Sequence, residues 1–200
     1  APRVVGGSTI TQQFVKITLQ ENALKRGDKD AAKAAVTKTY SRKLQELKYA
    51  LNVEENFTKD QILEGYLNLV YYGDQAYGVE AAALNYFGVS ASKLNLSQAA
   101  LMAGVVQQPT AFNPVLNPKE AQTRRNIVLD RMQSLGLASA KDVAAAKKVA
   151  VKSMIKKKPV KGVCHRSAQP YFCAYVLEYL QKAPQMAVLG KTPADRLKTI

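Results

Sequence analysis

The feature that most constrains this chain is a helical period that runs, breaks and restarts between Ser41 and Gly73. At roughly 100° per residue, Arg42 and Lys43 fall on either side of Glu46 on one arc of the first helix. Leu44, Leu47 and Leu51 share the opposite arc, which the period assigns to the core. The second helix begins at Thr58, and Gln61 three positions on completes a capping box. Ile62, Leu63, Tyr66, Leu67 and Val70 continue the period, and Gly73 offers a stop. Nearly every other segment reads the same way, and no convincing alternating strand precedes residue 160. The expected fold is therefore an all-α domain of about seven or eight helices.

A glutamate between an arginine and a lysine at this spacing is ordinarily a solvated pair worth a few tenths of a kcal/mol. Composition bears on whether this one is different. The 200 residues carry a formal net charge of +14, from 29 Lys and Arg against 15 Asp and Glu. Such a surplus favours a polyanionic partner: nucleic acid, an anionic membrane surface or a phosphate-bearing substrate. No run of about 18 apolar residues exists to span a bilayer.

Upstream, Gly6-Gly7-Ser8-Thr9-Ile10-Thr11-Gln12-Gln13-Phe14-Val15-Lys16 reads as a loop turning into a helix capped by Ser8 or Thr9. A glycine-rich approach to a helix N-terminus suits an anion, and the paired amides Gln12 and Gln13 set donors beside it. Residues 16 to 48 hold nine Lys or Arg against four Asp or Glu, with Gly27-Asp28-Lys29-Asp30 as a loop in the middle. That composition reads as a flexible basic segment, either a solvated loop or a mobile element touching phosphate or a membrane surface. Downstream, a glycine-bounded turn leads into a helix over 81–87, which Gly88 ends. Ser97 is expected to cap a helix over 98–106, Asn117 and Pro118 to open the next, and Ser139 with Asp142 to cap another. A boundary is expected near residue 155.

Cys164 and Cys173 are the only cysteines; they can close a small loop as a disulfide or stand as two buried thiols. One histidine, His165, beside one of them leaves a zinc site short of ligands.

Four of these segments, in order, resemble the peptidoglycan glycosyltransferases of family 51, the glycan-polymerising domains of class A penicillin-binding proteins. Gly6 to Gln13 is similar to the family's second motif, and Arg42-Lys43 with Glu46 to the third. The stretch from Lys59 through Asn68 to Gly73 is similar to the fourth, and Arg124-Arg125-Asn126 through Met132 to the fifth. The resemblance covers roughly residues 5 to 150. The family's first motif, whose glutamate is the general base, is absent from these 200 residues and is expected before Ala1. Without it these residues alone are expected to have little polymerase activity. Ile17 stands where many relatives have Asn or Asp, and the segment from Gln20 to Tyr40 is longer than in compact relatives. The segment from 156 resembles the start of a linker toward a transpeptidase domain, with a Cys-containing stretch like that of actinobacterial enzymes.

The resemblance implies a lysozyme-like helical fold with a cleft and a membrane-facing jaw, on the extracytoplasmic side of the cell membrane. It implies polymerisation of lipid II into glycan strands, with inversion and release of undecaprenyl diphosphate. Glu46 is then the catalytic carboxylate that assists the departing diphosphate. Ser8, Thr9, Gln12, Gln13, Lys16, Arg42 and Lys43 surround that diphosphate, and a divalent cation, Mg or Mn, is left open. Tyr66, Asn68 and Glu64 are expected to pack and hydrogen-bond beneath the cleft. Of Arg124 and Arg125, one is expected to pair with a core acid and the other to face substrate. Implied partners are lipid II, the growing glycan, an anionic membrane surface and moenomycin-type inhibitors. A lysozyme-like hydrolase and a basic helical nucleic-acid binder are the rival readings.

Overall fold

The structure, a computed structural model, describes residues 7–156 continuously and a few positions beyond, including the short turn of helix Pro184–Leu189. Cys164 and Cys173, and most of the expected linker, lie outside the described residues. Among the described residues there are nine α-helices and no strand, so the architecture is all-α. In order they are α1 (Ile10–Lys25), α2 (Lys29–Val36), α3 (Tyr40–Asn56), α4 (Lys59–Leu69), α5 (Val79–Phe87), α6 (Leu96–Val105), α7 (Pro118–Ser134), α8 (Ala140–Lys148) and α9 (Val151–Met154). They form two compact units, one built on α1–α4 and one on most of α5 with α6–α9.

In the first unit α1 packs against α2, α3 and α4. Its start is set by a capping box: the Thr9 hydroxyl accepts from the Gln12 amide, and Gln12 accepts from the Thr9 N–H. Thr58 and Gln61 build the same device on α4. Residues 16 to 48, expected as a flexible basic segment, are helical instead except at the turn around Gly27 and between Val36 and Tyr40. Gly27 supplies the positive φ that ends α1, and the Asp28 carboxylate accepts from Ala31 N–H to start α2. Two local caps thus convert a charged stretch into a helical hairpin.

The leucine stripe on α3 points the wrong way for the expected packing. Leu44 and Leu51 are 68% and 58% exposed, and Leu47 is exposed too. Glu46 and Ala50 form the buried arc. Ala50 adds little bulk, and Glu46 is buried with both of its oxygens held by cations, so the charged arc can turn inward where the leucines were expected.

The second unit has its own core, with Ala100, Leu129, Val143 and Ala146 packed together and Leu96, Val128 and Met132 around them. Helix α6 starts two residues earlier than expected. Asn95, with Gln98, caps it, and Ser97 is buried inside it. Asn117 makes no side-chain cap for α7; its amide donates to the Thr110 and Ala111 carbonyls. Arg125, fully buried, meets no acid among the described residues, so it is not the one of the arginine pair that was expected to do so. Its guanidinium donates to Val149 O at 2.5 Å, Lys147 O at 3.1 Å and Ser97 Oγ at 3.0 Å, while Ser97 donates to Ala146 O. Lys147 O lies in the last turn of α8 and Val149 O just past it, where carbonyls lack helical partners, so the cation serves as that helix's C-terminal cap. Burial pulls its pKa down.

Candidate active site

Glu46 is 3% exposed. Its Oε2 is held by Arg42 Nη1 and its Oε1 by Lys43 Nζ, one turn back on α3. Lys43 also donates to Ser8 Oγ at 2.7 Å and to Gln12 Oε1 at 3.3 Å, at the start of α1. Burial alone would raise the Glu46 carboxyl, but hydrogen bonds and charge from Lys43 and Arg42 outweigh it and hold the group below its ordinary range. Glu46 is therefore ionised at neutral pH. Taking a carboxylate out of water costs several kcal/mol, and even a well-paired one is poor evidence for stability. A residue kept in that state is a candidate for chemistry.

A cavity of about 650 Å³ opens beside it. Among the residues that line it are Lys16, Leu19, Ala23 and Arg26, Ala31, Ala34 and Ala35 of α2, and Arg42, Gln45 and Glu46 of α3. Lys43 does not line it; Arg42 and Lys43 hold opposite oxygens of Glu46, and only Arg42 is on the cavity side.

The two glutamines differ in role. Gln12 caps α1 and receives Lys43. Gln13 is used at both ends: its amide donates to Ser8 O at 3.3 Å, and its oxygen accepts from Tyr66 Oη at 3.3 Å. It ties α1 to α4 more than it offers donors to a ligand. Tyr66 is buried, as expected of a packing residue, and burial raises its phenol pKa. Glu64 and Asn68 do not pack beneath it; their side chains are exposed, and Asn68 contributes its backbone oxygen, against which Gly78 sits.

Residues 2–133 match the family described as Transglycosylase. The chain belongs to that family. This transglycosylase domain is 47% identical over 148 residues to Penicillin-binding protein 1A/1B of Bacillus subtilis (strain 168), covering 74% of the chain and 15% of the relative. It is 33% identical over 180 residues to Penicillin-binding protein 2D of the same strain, covering 90% and 23%. Against Penicillin-binding protein 1A of Pseudomonas aeruginosa it is 39% identical over 141 residues, covering 70% and 16%. The chain thus spans less than a quarter of these relatives' length.

Two residues of the cavity lining, Arg26 and Gln45, were not legible as such beforehand. Arg26 carried one signal, its place just before the helix-ending Gly27. Among the described residues no group of three or more His, Cys, Asp or Glu side chains is arranged to hold a metal ion. Glu46 is the one carboxylate of the cavity lining, and cations occupy both its oxygens, so these residues alone do not fit a divalent cation. No helix of the described residues is long and apolar enough to cross a membrane.

Proposed function

We propose that this transglycosylase domain polymerises lipid II into glycan strands. The observation that carries the reading is an ionised glutamate, buried, with a different cation on each oxygen and a cavity on one side. In the reaction the acceptor's 4-hydroxyl oxygen bonds to the donor's anomeric carbon, which inverts, and the hydroxyl's proton passes to the first-motif glutamate that the resemblance supplies from outside these 200 residues. The bond from that carbon to the diphosphate breaks, and undecaprenyl diphosphate leaves with the electron pair. Negative charge grows on the diphosphate as it departs. Preorganised cations in a site shielded from water stabilise such charge most effectively. Lys16 and Arg42 line the cavity where it would sit, and Lys43 holds the other side of Glu46.

Glu46 acts in this scheme as an anchor for Arg42 and Lys43. It has no proton to give at neutral pH. A retaining or inverting hydrolase needs a carboxylic acid still protonated near working pH; with its pKa lowered, Glu46 does not fill that part. The same reading takes residues 1–155 as the glycosyltransferase domain and 156–200 as the start of a linker. It puts the domain on the extracytoplasmic face of the membrane, where its surplus of +14 suits anionic lipid. Moenomycin-type inhibitors would compete for the cavity.

The test is turnover of labelled lipid II by the full-length protein. Polymer is expected, and Glu46→Gln should slow its formation by about 100-fold or more. Its pH–rate profile should keep its shape above about pH 5, because the residue is already ionised there. Soluble fragments released from peptidoglycan, with no polymer from lipid II, would overturn the reading.

A further inference from the structure

Tyr71 and Tyr77 face each other across an isolated antiparallel bridge, their ring centroids 4.7 Å apart and their planes tilted by 36°. The backbone beside the pair is fixed. Gly78 N–H donates to Val70 O at 3.0 Å, and Gly78 sits against Asn68 O. The rings are therefore set before any ligand arrives. Tyr71 is half-buried, whereas Tyr77 is 48% exposed, which leaves part of its ring open to solvent. Glu21, half-buried on α1, is its charged neighbour. Burial raises the Tyr77 phenol above its ordinary value, and the charges of Tyr71 and Glu21 add to the rise. Tyr77 thus stays a neutral ring beside a carboxylate. No Lys or Arg pairs with Glu21 among the described residues, although the chain carries 29 of them. A ring whose face is negative, next to an unpaired carboxylate, attracts a cation and repels a diphosphate.

Resting on the reading above, we infer that Tyr77 and Glu21 bind the side-chain ammonium of the substrate's peptide, with Tyr71 backing the ring that receives it. Lipid II carries a short peptide on the sugar next to the diphosphate, and the third residue of that peptide is a diamino acid with a free amine. Glu21 is five residues on from Lys16, about 7.5 Å along the axis of α1, and lies outside the cavity lining. Three extended residues span about 10 Å before the side chain is counted. With the diphosphate at Lys16, the peptide is therefore long enough to bring its ammonium to Tyr77. Tyr77 and Glu21 are thereby specificity residues for the peptide, apart from the cations that hold the diphosphate. A stacked sugar would use the ring without needing a negative charge beside it.

The experiment measures KM of the full-length protein for lysine-containing lipid II and for the same lipid II acetylated on the lysine amine, which removes the charge. The wild type should show a KM about fivefold lower for the free amine, the ratio that one partly exposed cation–π contact and one ion pair supply. Glu21→Gln and Tyr77→Leu should each cut that ratio below about twofold, by raising KM for the free amine alone. Tyr77→Phe keeps the ring and should keep the ratio. Glu55→Gln, which removes an exposed carboxylate of α3, should keep it too. Added salt should shrink the wild-type ratio. Equal KM values for the two substrates in the wild type overturn the inference while polymerisation continues. So does an equal rise for both in Tyr77→Leu, which would make the ring a platform for sugar. Failure of the wild type to polymerise either lipid II would instead remove the reading of the site and this inference with it.

Discussion

Lys43 donates to Ser8 Oγ at 2.7 Å across 35 residues of chain, while the same ammonium holds Glu46. One side chain thus fastens the start of α1 to the buried carboxylate of α3. Lys43→Met should sever that tie and leave one Glu46 oxygen without its cation. Polymerisation by the full-length protein should fall about 100-fold. Lys43→Arg should recover only part, because a planar fork replaces a compact ammonium that serves Ser8, Gln12 and Glu46 together. Equal activity of Met and wild type would remove Lys43 from the site.

The depressed Glu46 pKa makes a prediction about acid stability. A carboxylate whose folded pKa lies below its ordinary 4.5 stabilises the fold above that value, and the contribution is lost as pH falls through the folded pKa. Melting temperatures of wild type and Glu46→Gln, followed from about pH 6.5 to pH 3, should converge from the wild-type side as pH drops. A difference independent of pH would show that the pair does not hold the proton off.

Arg125→Ala should destabilise the fold by about 3 kcal/mol, because the carbonyls of Lys147 and Val149 lose their donor inside the protein. Arg125→Lys should recover little, since one ammonium does not reproduce the fork. Denaturant unfolding measures both.

Gly78 has φ +82, and a Cβ there would meet Asn68 O at 2.7 Å. Gly136 has φ +71 with nothing within 4 Å. Gly136→Ala should cost about 1 kcal/mol from backbone conformation alone. Gly78→Ala should cost about 2 kcal/mol or more, the excess being the clash. Equal losses would mean the chain at Gly78 yields freely.

Leu51→Gln should leave stability within about 0.5 kcal/mol, as for a surface position, although periodicity assigns Leu51 to a core. A loss of about 2 kcal/mol would restore the leucine stripe to the interior.

The sequence by itself determined many of the helices and several of their starts. Thr58 with Gln61 and Ser139 before Asp142 are local devices, completed within four residues, and they work as read, while of the two caps offered for α1 Thr9 is the one used. Order and spacing of motifs were also enough to mark the family, because they are properties of the chain alone. Which face of α3 turns inward was decided only by tertiary structure. Period 3.6 finds two arcs, one leucine and one charged, and choosing between them needs the partner surface. That surface includes Ser8 and Gln12 at the start of α1, whose oxygens receive Lys43, one of the two cations that hold the buried Glu46. For the same reason Ser97, which read as a cap, and Arg125, one of two candidates for a core ion pair, became partners of the end of α8. Capping is settled by neighbours in sequence, whereas the partners of a buried charge come from wherever the fold leaves unsatisfied carbonyls and hydroxyls.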